Sequence, residues 1–433
     1  MNNRLRELFR YVIPAVGGLC VTFLYNIVDG IFVGQGVGST ALGAVNISVP
    51  FVTAAMALAA MLPMGGSTII AVRMGRDDYD GANQAFMSAL IMTVIISLLL
   101  TVIGTVFARE IVLVCGGNHL SSEMVNMAVT YLAYYMAFCF PMLMAPCLSV
   151  FVRNDGAPGL AFAGMLAGAA SNIFLDWLFV FPFQWGVTGA AMASGLGQIV
   201  SCLLLLSHFI RKKGVLRIRR VRMNAGLMKT IIRCGIPEAA SQLTTPVTSF
   251  CYNTVLSGMI GDIGISTFSV LSFIFSLANA ILMGVAQGMQ PLWGRCYGKN
   301  DVNGMKYYLN VSLLINTVLS VAITVLLSIF SSQAIMIFNT EPELIRSGSK
   351  ALPQFAVSFI PMAINLIVAG YFFSVQKTSE ANLLSMSRGI VLKAAAIFAV
   401  PIILGKSMIW YAPLFAETLT VFMSVILLKR YKK

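Results

Sequence analysis

Charge is scarce in this chain. Of 433 residues only 10% are Asp, Glu, Lys or Arg, against about 25% in an ordinary soluble domain. A water-exposed globular surface cannot be covered with so few. Histidine is rarer still: His119 and His208 are the only two and stand far apart in sequence. A membrane-embedded enzyme would need a cluster of catalytic or metal-ligating groups at one depth, and two isolated histidines do not supply it. No Gly-x-x-x-x-Gly-Lys phosphate loop occurs, so direct use of ATP is not expected. The eight cysteines show no close pairing and mostly fall in apolar runs, where they read as small packing residues. No enzymatic activity and no cofactor are expected.

What is present in quantity is apolar sequence, 58% of the chain. Twelve runs, from 10–33 through 84–108 and 228–259 to 408–428, are each long enough to cross about 30 Å of hydrocarbon at about 1.5 Å per residue. The first lacks a small-residue cleavage pattern and exceeds a signal-peptide core in length. An all-α polytopic membrane protein with twelve transmembrane helices is the expected fold class. The net charge of +13 would suit nucleic acid, but its placement argues for a membrane instead. With loops assigned alternately to two sides, 24 of the 29 basic residues fall on one side. The excess of positive charge on cytoplasmic loops then puts both termini in the cytoplasm. No nucleic-acid partner is expected, only the lipid bilayer and small molecules.

The chain also repeats itself. Ile13-Pro14 recurs as Ile236-Pro237, and Met74–Gly81 matches Tyr297–Gly304 at the same spacing. Tyr25-Asn26 matches Tyr252-Asn253, and Pro141-Met142 matches Pro361-Met362. Six spans per half make these parallel repeats that enter the membrane from the same side. We expect two six-helix, pseudo-symmetric lobes, residues 1–215 with the cation-coupling site and 216–433, joined by the basic loop Arg211–Arg222.

Two carboxylates sit inside apolar runs, Asp29 in 11–33 and Asp176 in 160–181. Such acids cost several kcal/mol by insertion scales, roughly 2.5–3.5, and usually face a wet cavity on an ion or proton path. Counting rise per residue places Asp29 roughly 28 Å and Asp176 roughly 24 Å from the cytoplasmic edge, and Ser194 roughly 10 Å below the outer one. Asn172 is one turn from Asp176 on the same helical face. Two carboxylates, an amide and a hydroxyl form an oxygen site for Na⁺, or for a proton shared by the acids. Asp29, Asn172, Asp176 and Ser194 are therefore the expected coupling-ion ligands. Tyr25, Asn26, Asn46 and Met64 are candidates for contact with cargo. Pro14, which removes a backbone donor from the first span, is a candidate hinge. Lys393 also lies within a span, where it must snorkel or meet an acid.

At these residues the chain resembles a family. Tyr-Asn-Ile-Val-Asp-Gly-Ile-Phe-Val-Gly (25–34), Arg-Met-Gly-Arg-Asp-Asp (73–78), Val-Arg-Asn-Asp-Gly-Ala-Pro (152–158), Asn-Ile-Phe-Leu-Asp-Trp-Leu-Phe (172–179) and Gln-Gly-Met-Gln-Pro-Leu-Trp-Gly (287–294) are similar to the multidrug and toxic compound extrusion (MATE) transporters. The likeness extends to the bacterial branch that holds the staphylococcal multidrug exporter and the DNA-damage-inducible exporters. It implies a V-shaped pair of lobes that exports drugs in exchange for Na⁺ or H⁺ by alternating access. The family's first-helix aspartate matches Asp29, its kink proline Pro14, its Asn-x-x-x-Asp pair Asn172 and Asp176, and its sixth-helix hydroxyl Ser194. Where another branch carries a seventh-helix glutamate, this chain has Gln242, Thr244 and Thr245, which speaks against a second-lobe cation site. The expected function is a secondary multidrug antiporter for cationic or amphipathic organic compounds, working as a monomer in the bacterial cytoplasmic (inner) membrane. The alternative is a flippase for a lipid-linked saccharide, whose anionic pyrophosphate would call for several cavity arginines.

Overall fold

A computed structural model describes residues 3–36, 39–116, 121–338 and 341–432, with the side chains of 33, 34, 36, 39–46 and 432 left out. His119 lies outside them. Among the described residues the chain is helical throughout, with no strand. It divides into two compact units, 1–239 and 240–433.

The first unit holds α1 (Asn3–Gly36), α2 (Ser39–Gly75), α3 (Tyr79–Val106), α4 (Ala108–Val114), α5 (Ser122–Ala137), α6 (Cys139–Asn154), α7 (Pro158–Val180), α8 (Gly186–Ile210) and most of α9 (Ala225–Gln242). The second holds α10 (Thr244–Met259), α11 (Asp262–Gly298), α12 (Val302–Ile329), α13 (Ser331–Met336), α14 (Pro342–Ala356), α15 (Phe359–Ser374), α16 (Thr378–Met386), α17 (Leu392–Ile403) and α18 (Ala412–Lys432). Nine helical segments among the described residues are long and apolar enough to cross a membrane. Two bent pairs, α5 with α6 and α14 with α15, bring the number to eleven when each is counted as one span. The twelfth expected run, 228–259, falls on α9 and α10, and among the described residues neither is long and apolar enough to count as a span. Alone, α10 is too short, and α9 carries Lys229, Arg233 and Glu238. The protein is a multi-pass membrane protein.

The sequence repeat is visible as matching local structure. Asp77 and Asn300 both take positive φ, 58° and 56°, a backbone state that Asp and Asn tolerate better than most residues. The next residue in each half caps a 28-residue helix: Asp78 accepts from the Gly81 amide at 2.9 Å and Asp301 from Gly304 at 2.8 Å. The bent pairs match as well, at 47° and 43°. Pro141 and Pro361 each stand third in the helix after the bend. Neither has an N–H to return to the carbonyl four residues back, which is the ordinary cause of such a kink.

The loop between Ile210 and Ala225 is strapped to the first unit. Asp155 accepts the amides of Val215 at 2.7 Å and Leu216 at 3.1 Å and pairs with His208 Nε2 at 2.9 Å. Asn83 Oδ1 accepts the Arg217 amide. Beyond the loop, α9 meets α2 through glycine. An added methyl on Gly65 would overlap the Ile231 carbonyl, and one on Gly235 the Met61 carbonyl. The first unit's core centres on Phe86, set edge-on to Phe151 and stacked on Phe209. All eight cysteines are free thiols.

Candidate functional site

Small residues bring three helices of the first unit close enough to share a site. On α1, a methyl on Gly17 would stand 2.9 Å from the Phe162 ring, and one on Gly18 2.7 Å from Met165 Sδ. That lets α1 lie directly on α7. On α8, a methyl on Gly197 would stand 2.7 Å from the Gly168 carbonyl oxygen and 2.8 Å from Asn172 Cβ. The α7 and α8 backbones are therefore in near contact, as small residues permit in membranes.

From that contact the site follows by helical spacing. Gly168, Asn172 and Asp176 are successive turns of one α7 face. Asn172 Nδ2 donates to Ser194 Oγ at 3.3 Å across to α8. Asp176 is fully buried, and its carboxyl group is close enough to the Asp29 carboxyl on α1 for the two charges to interact. Four buried oxygens here accept no hydrogen bond: Asp29 Oδ1, both Asp176 oxygens and Asn172 Oδ1. Buried acceptors without donors cost about 1–3 kcal/mol each, more if charged. Two facing carboxylates repel as well. A proton between the acids, or a hard cation among the oxygens, relieves both penalties. The set contains only oxygen ligands, and among the described residues no group of three or more His, Cys, Asp or Glu gathers as a metal site. The chemistry suits H⁺ or Na⁺.

Asp29 is half-buried because it faces a cavity of about 270 Å³. Tyr25, Asn26 and Ser194 line it too, alongside Tyr131, Tyr135, Gln198, Met56 and Met142. Asn172 and Asp176 are buried and are not in this lining, and each neighbours a residue that is, Ser194 and Asp29. The remaining sequence candidates fall elsewhere. Asn46 lies among the residues whose side chains are not described. Met64 is buried and absent from the lining. Pro14 stands about four turns away along α1, which stays helical through it, and borders a separate hollow with Arg10 and Pro158.

Among the lining residues without a reading in the sequence, Tyr131, Tyr135 and Gln198 carry the most polar chemistry. Tyr131 and Tyr135 are one turn apart on α5 with ring centroids 5.6 Å apart, and Gln198 is one turn beyond Ser194. Two tyrosines spaced i, i+4 in an apolar run were the available signal. Another omission is Glu417, which stands 3.7 Å from Lys393 Nζ and 3.5 Å from Arg388 Nε. A single acid in the final apolar run could have suggested it. The second repeat does not reproduce the acid pair. Tyr252, the partner of Tyr25 in the repeat, is buried, stacked on Phe268 with centroids 4.3 Å apart. At the same spacing Leu256 takes the place of Asp29.

Comparison with known proteins agrees with this architecture. The MatE family model matches residues 14–178 and 237–396. The multidrug export protein MepA of Staphylococcus haemolyticus is 22% identical over 426 residues, covering 98% of this chain and 92% of that protein. MepA of Staphylococcus saprophyticus is 24% identical, covering 96% and 91%. Among solved structures, a MATE transporter in its straight conformation superposes with a TM-score of 0.92 at 24% identity, covering 98% of this chain and 95% of that one. An outward-facing multidrug resistance MATE transporter gives 0.90 at 24% identity, covering 97% and 94%. The structural likeness shows the fold.

Proposed function

The chain belongs to the MatE family, and from that premise we propose that it is a secondary multidrug efflux antiporter. It exports cationic or amphipathic organic compounds in exchange for H⁺ or Na⁺ across the bacterial cytoplasmic membrane, as a monomer with both termini inside. One observation carries this reading: a donor-free pair of acids, Asp29 and Asp176, with one member opening onto a cavity of drug-accepting character. The names of the staphylococcal relatives support it. The lining combines tyrosines, thioethers and amides around a single acid. Flexible thioethers and aromatic faces accommodate varied ligands, and aromatic faces attract cations. Among the described residues no arginine borders the cavity, which disfavours the pyrophosphate of a lipid-linked saccharide.

Exchange follows if the ion and the cargo compete for the same charge. Cationic cargo near Asp29 is stabilised while the acids are charged, and ion binding neutralises them and releases it. The ion must also bind the two conformations of the cycle unequally, since a ligand of equal affinity shifts nothing. The test is efflux of a fluorescent organic cation from everted vesicles, with Na⁺ and pH gradients imposed separately. Loss of efflux under both gradients in the wild type would exclude antiport.

The same assay separates the ions. Asp176→Asn is expected to weaken ion dependence under either gradient. Asn172→Leu and Ser194→Ala remove neutral oxygens, so they impair Na⁺-driven efflux, Asn172→Leu more strongly, and leave H⁺-driven efflux near normal. Unchanged ion dependence in all three variants would place coupling elsewhere.

Pro14 is the proposed hinge of α1. Its missing N–H leaves the Arg10 carbonyl without its helical partner, which lowers the cost of bending there. Pro14→Ala should reduce turnover more than drug affinity, read as efflux rate against equilibrium binding by the purified protein. Turnover equal to the wild type would exclude a hinge at this position.

A further inference from the structure

The second unit holds a buried charge cluster that the acid pair of the first unit does not account for. Arg388 lies in a π-helical turn, Ser387–Val391, where the Leu392 amide bonds back five residues to Ser387. In an α-helix, positions five apart, such as 388 and 393, point about 140° apart. The wider turn brings both side chains round to Glu417 on α18. Lys393 Nζ is 3.7 Å and Arg388 Nε 3.5 Å from the same oxygen, Glu417 Oε1. The other oxygen accepts from Asn365 Nδ2 at 2.8 Å, and Asn365 Oδ1 in turn accepts from Ser424 at 3.0 Å. Glu417, Lys393 and Arg388 are all buried. Two cations thus share one carboxylate, leaving one positive charge in excess at a site screened from water.

That excess faces a cavity. Lys393 lines a space of about 20 Å³ with Thr245, Thr248, Ser249, Ser272 and Phe275, and among the described residues no acid is in the lining. At 3.7 Å the contact with Glu417 is an ion pair too long for a hydrogen bond. The ammonium has three N–H donors, so it has donors to spare for the cavity. Thr248 Oγ1 is buried there without a hydrogen-bond partner. Lys393 Nζ also stands 5.3 Å from the Phe275 ring centroid, a contact that favours a charged ammonium. A water-sized group needs about 10–15 Å³ of such space, so the cavity admits one small particle. A water molecule would fit but would leave the charge uncompensated, and an isolated buried charge is costly.

We propose that this cavity binds one monovalent anion of about the size of chloride, held by Lys393 and the surrounding hydroxyls. Glu417 keeps the lysine in place and competes with the anion for it. The bound anion makes the cluster electrically neutral. The site is independent of the Asp29–Asp176 pair and of the efflux reading.

The test is thermal unfolding of the full-length protein in detergent, titrated with chloride or gluconate at fixed sodium and pH. A saturable rise in Tm with chloride but not with gluconate is expected, as for any ligand that binds only the folded state. Lys393→Met abolishes the rise, and it leaves Arg388 and Glu417 as one neutral pair, so folding should persist. Glu417→Gln removes the competing negative charge and shifts the chloride midpoint about tenfold or more lower. Bromide in place of chloride should give an anomalous scattering peak between Lys393 and Thr248. Equal responses to chloride and gluconate, or a chloride response retained in Lys393→Met, would overturn the proposal.

Discussion

Asp29→Asn is expected to abolish ion-driven efflux while leaving the protein folded and abundant in the membrane. The amide has nearly the shape of the carboxyl group and fills the same half-buried place on α1, so packing against α7 is kept. What it loses is the negative charge and the capacity to take up and release a proton. Removing a charge from a membrane interior costs the fold nothing and tends to stabilise it. Asp29 is also the member of the pair that lines the cavity, whereas Asp176 is buried and is not in the lining. Without Asp29 the ion has no acid at the point of entry and the cargo no counter-charge. Coupling free energies are typically about 1–3 kcal/mol, so the roughly 5–150-fold effect of the ion on drug affinity should disappear along with ion-driven export. The measurement is efflux from everted vesicles at matched expression, with Tm of the purified variant as the folding control. Efflux at the normal rate and with normal ion dependence would remove Asp29 from the coupling site.

Gly197→Leu is expected to have the largest effect on stability in the first unit. The space beside Gly197 is bounded by the Gly168 carbonyl and the Asn172 backbone, neither of which can swing aside as a side chain would. Even a methyl forces α7 and α8 apart, and a leucine does so along the whole contact. Overpacking of this kind costs about 1–3 kcal/mol, occasionally more. Separation of the helices also breaks the Asn172–Ser194 hydrogen bond, so ion coupling should fail together with Tm. Gly258 on α10 is the control, since nothing lies within 4 Å of a methyl placed there. Gly258→Ala should be neutral or gain up to about 1 kcal/mol from helix propensity. Equal Tm shifts in the two variants would mean the α7–α8 contact does not govern stability.

The site was partly legible before any coordinates. Asp29 and Asp176 stood out because the cost of an acid in hydrocarbon is a property of the residue and its apolar neighbours along the chain. Asn172 followed from helical spacing alone. Tyr25 and Asn26 line the cavity, whereas Met64 does not, and a methionine in an apolar run carries nothing to separate lining from packing. Tyr131, Tyr135 and Gln198 come to the cavity from α5 and α8, helices far from α1 in sequence.

Composition and local pattern by themselves determined that this is a helical membrane protein built as a repeat. Those features act within single segments: apolar length against bilayer thickness, a proline that lacks its N–H, a motif that recurs at a fixed spacing. Only the tertiary structure decided that Asp29 meets Asp176, 147 positions later in the chain, and that Lys393 shares Glu417 with Arg388. Both pairings depend on how closely two helices approach and on their rotation about their axes. Glycines facing α7 side chains set the approach of α1, glycine against backbone sets that of α8, and one π-helical turn sets the rotation that carries Arg388 and Lys393 to one face. A shift of one residue in either would leave each charge alone in the membrane, at a cost that no local pattern can offset.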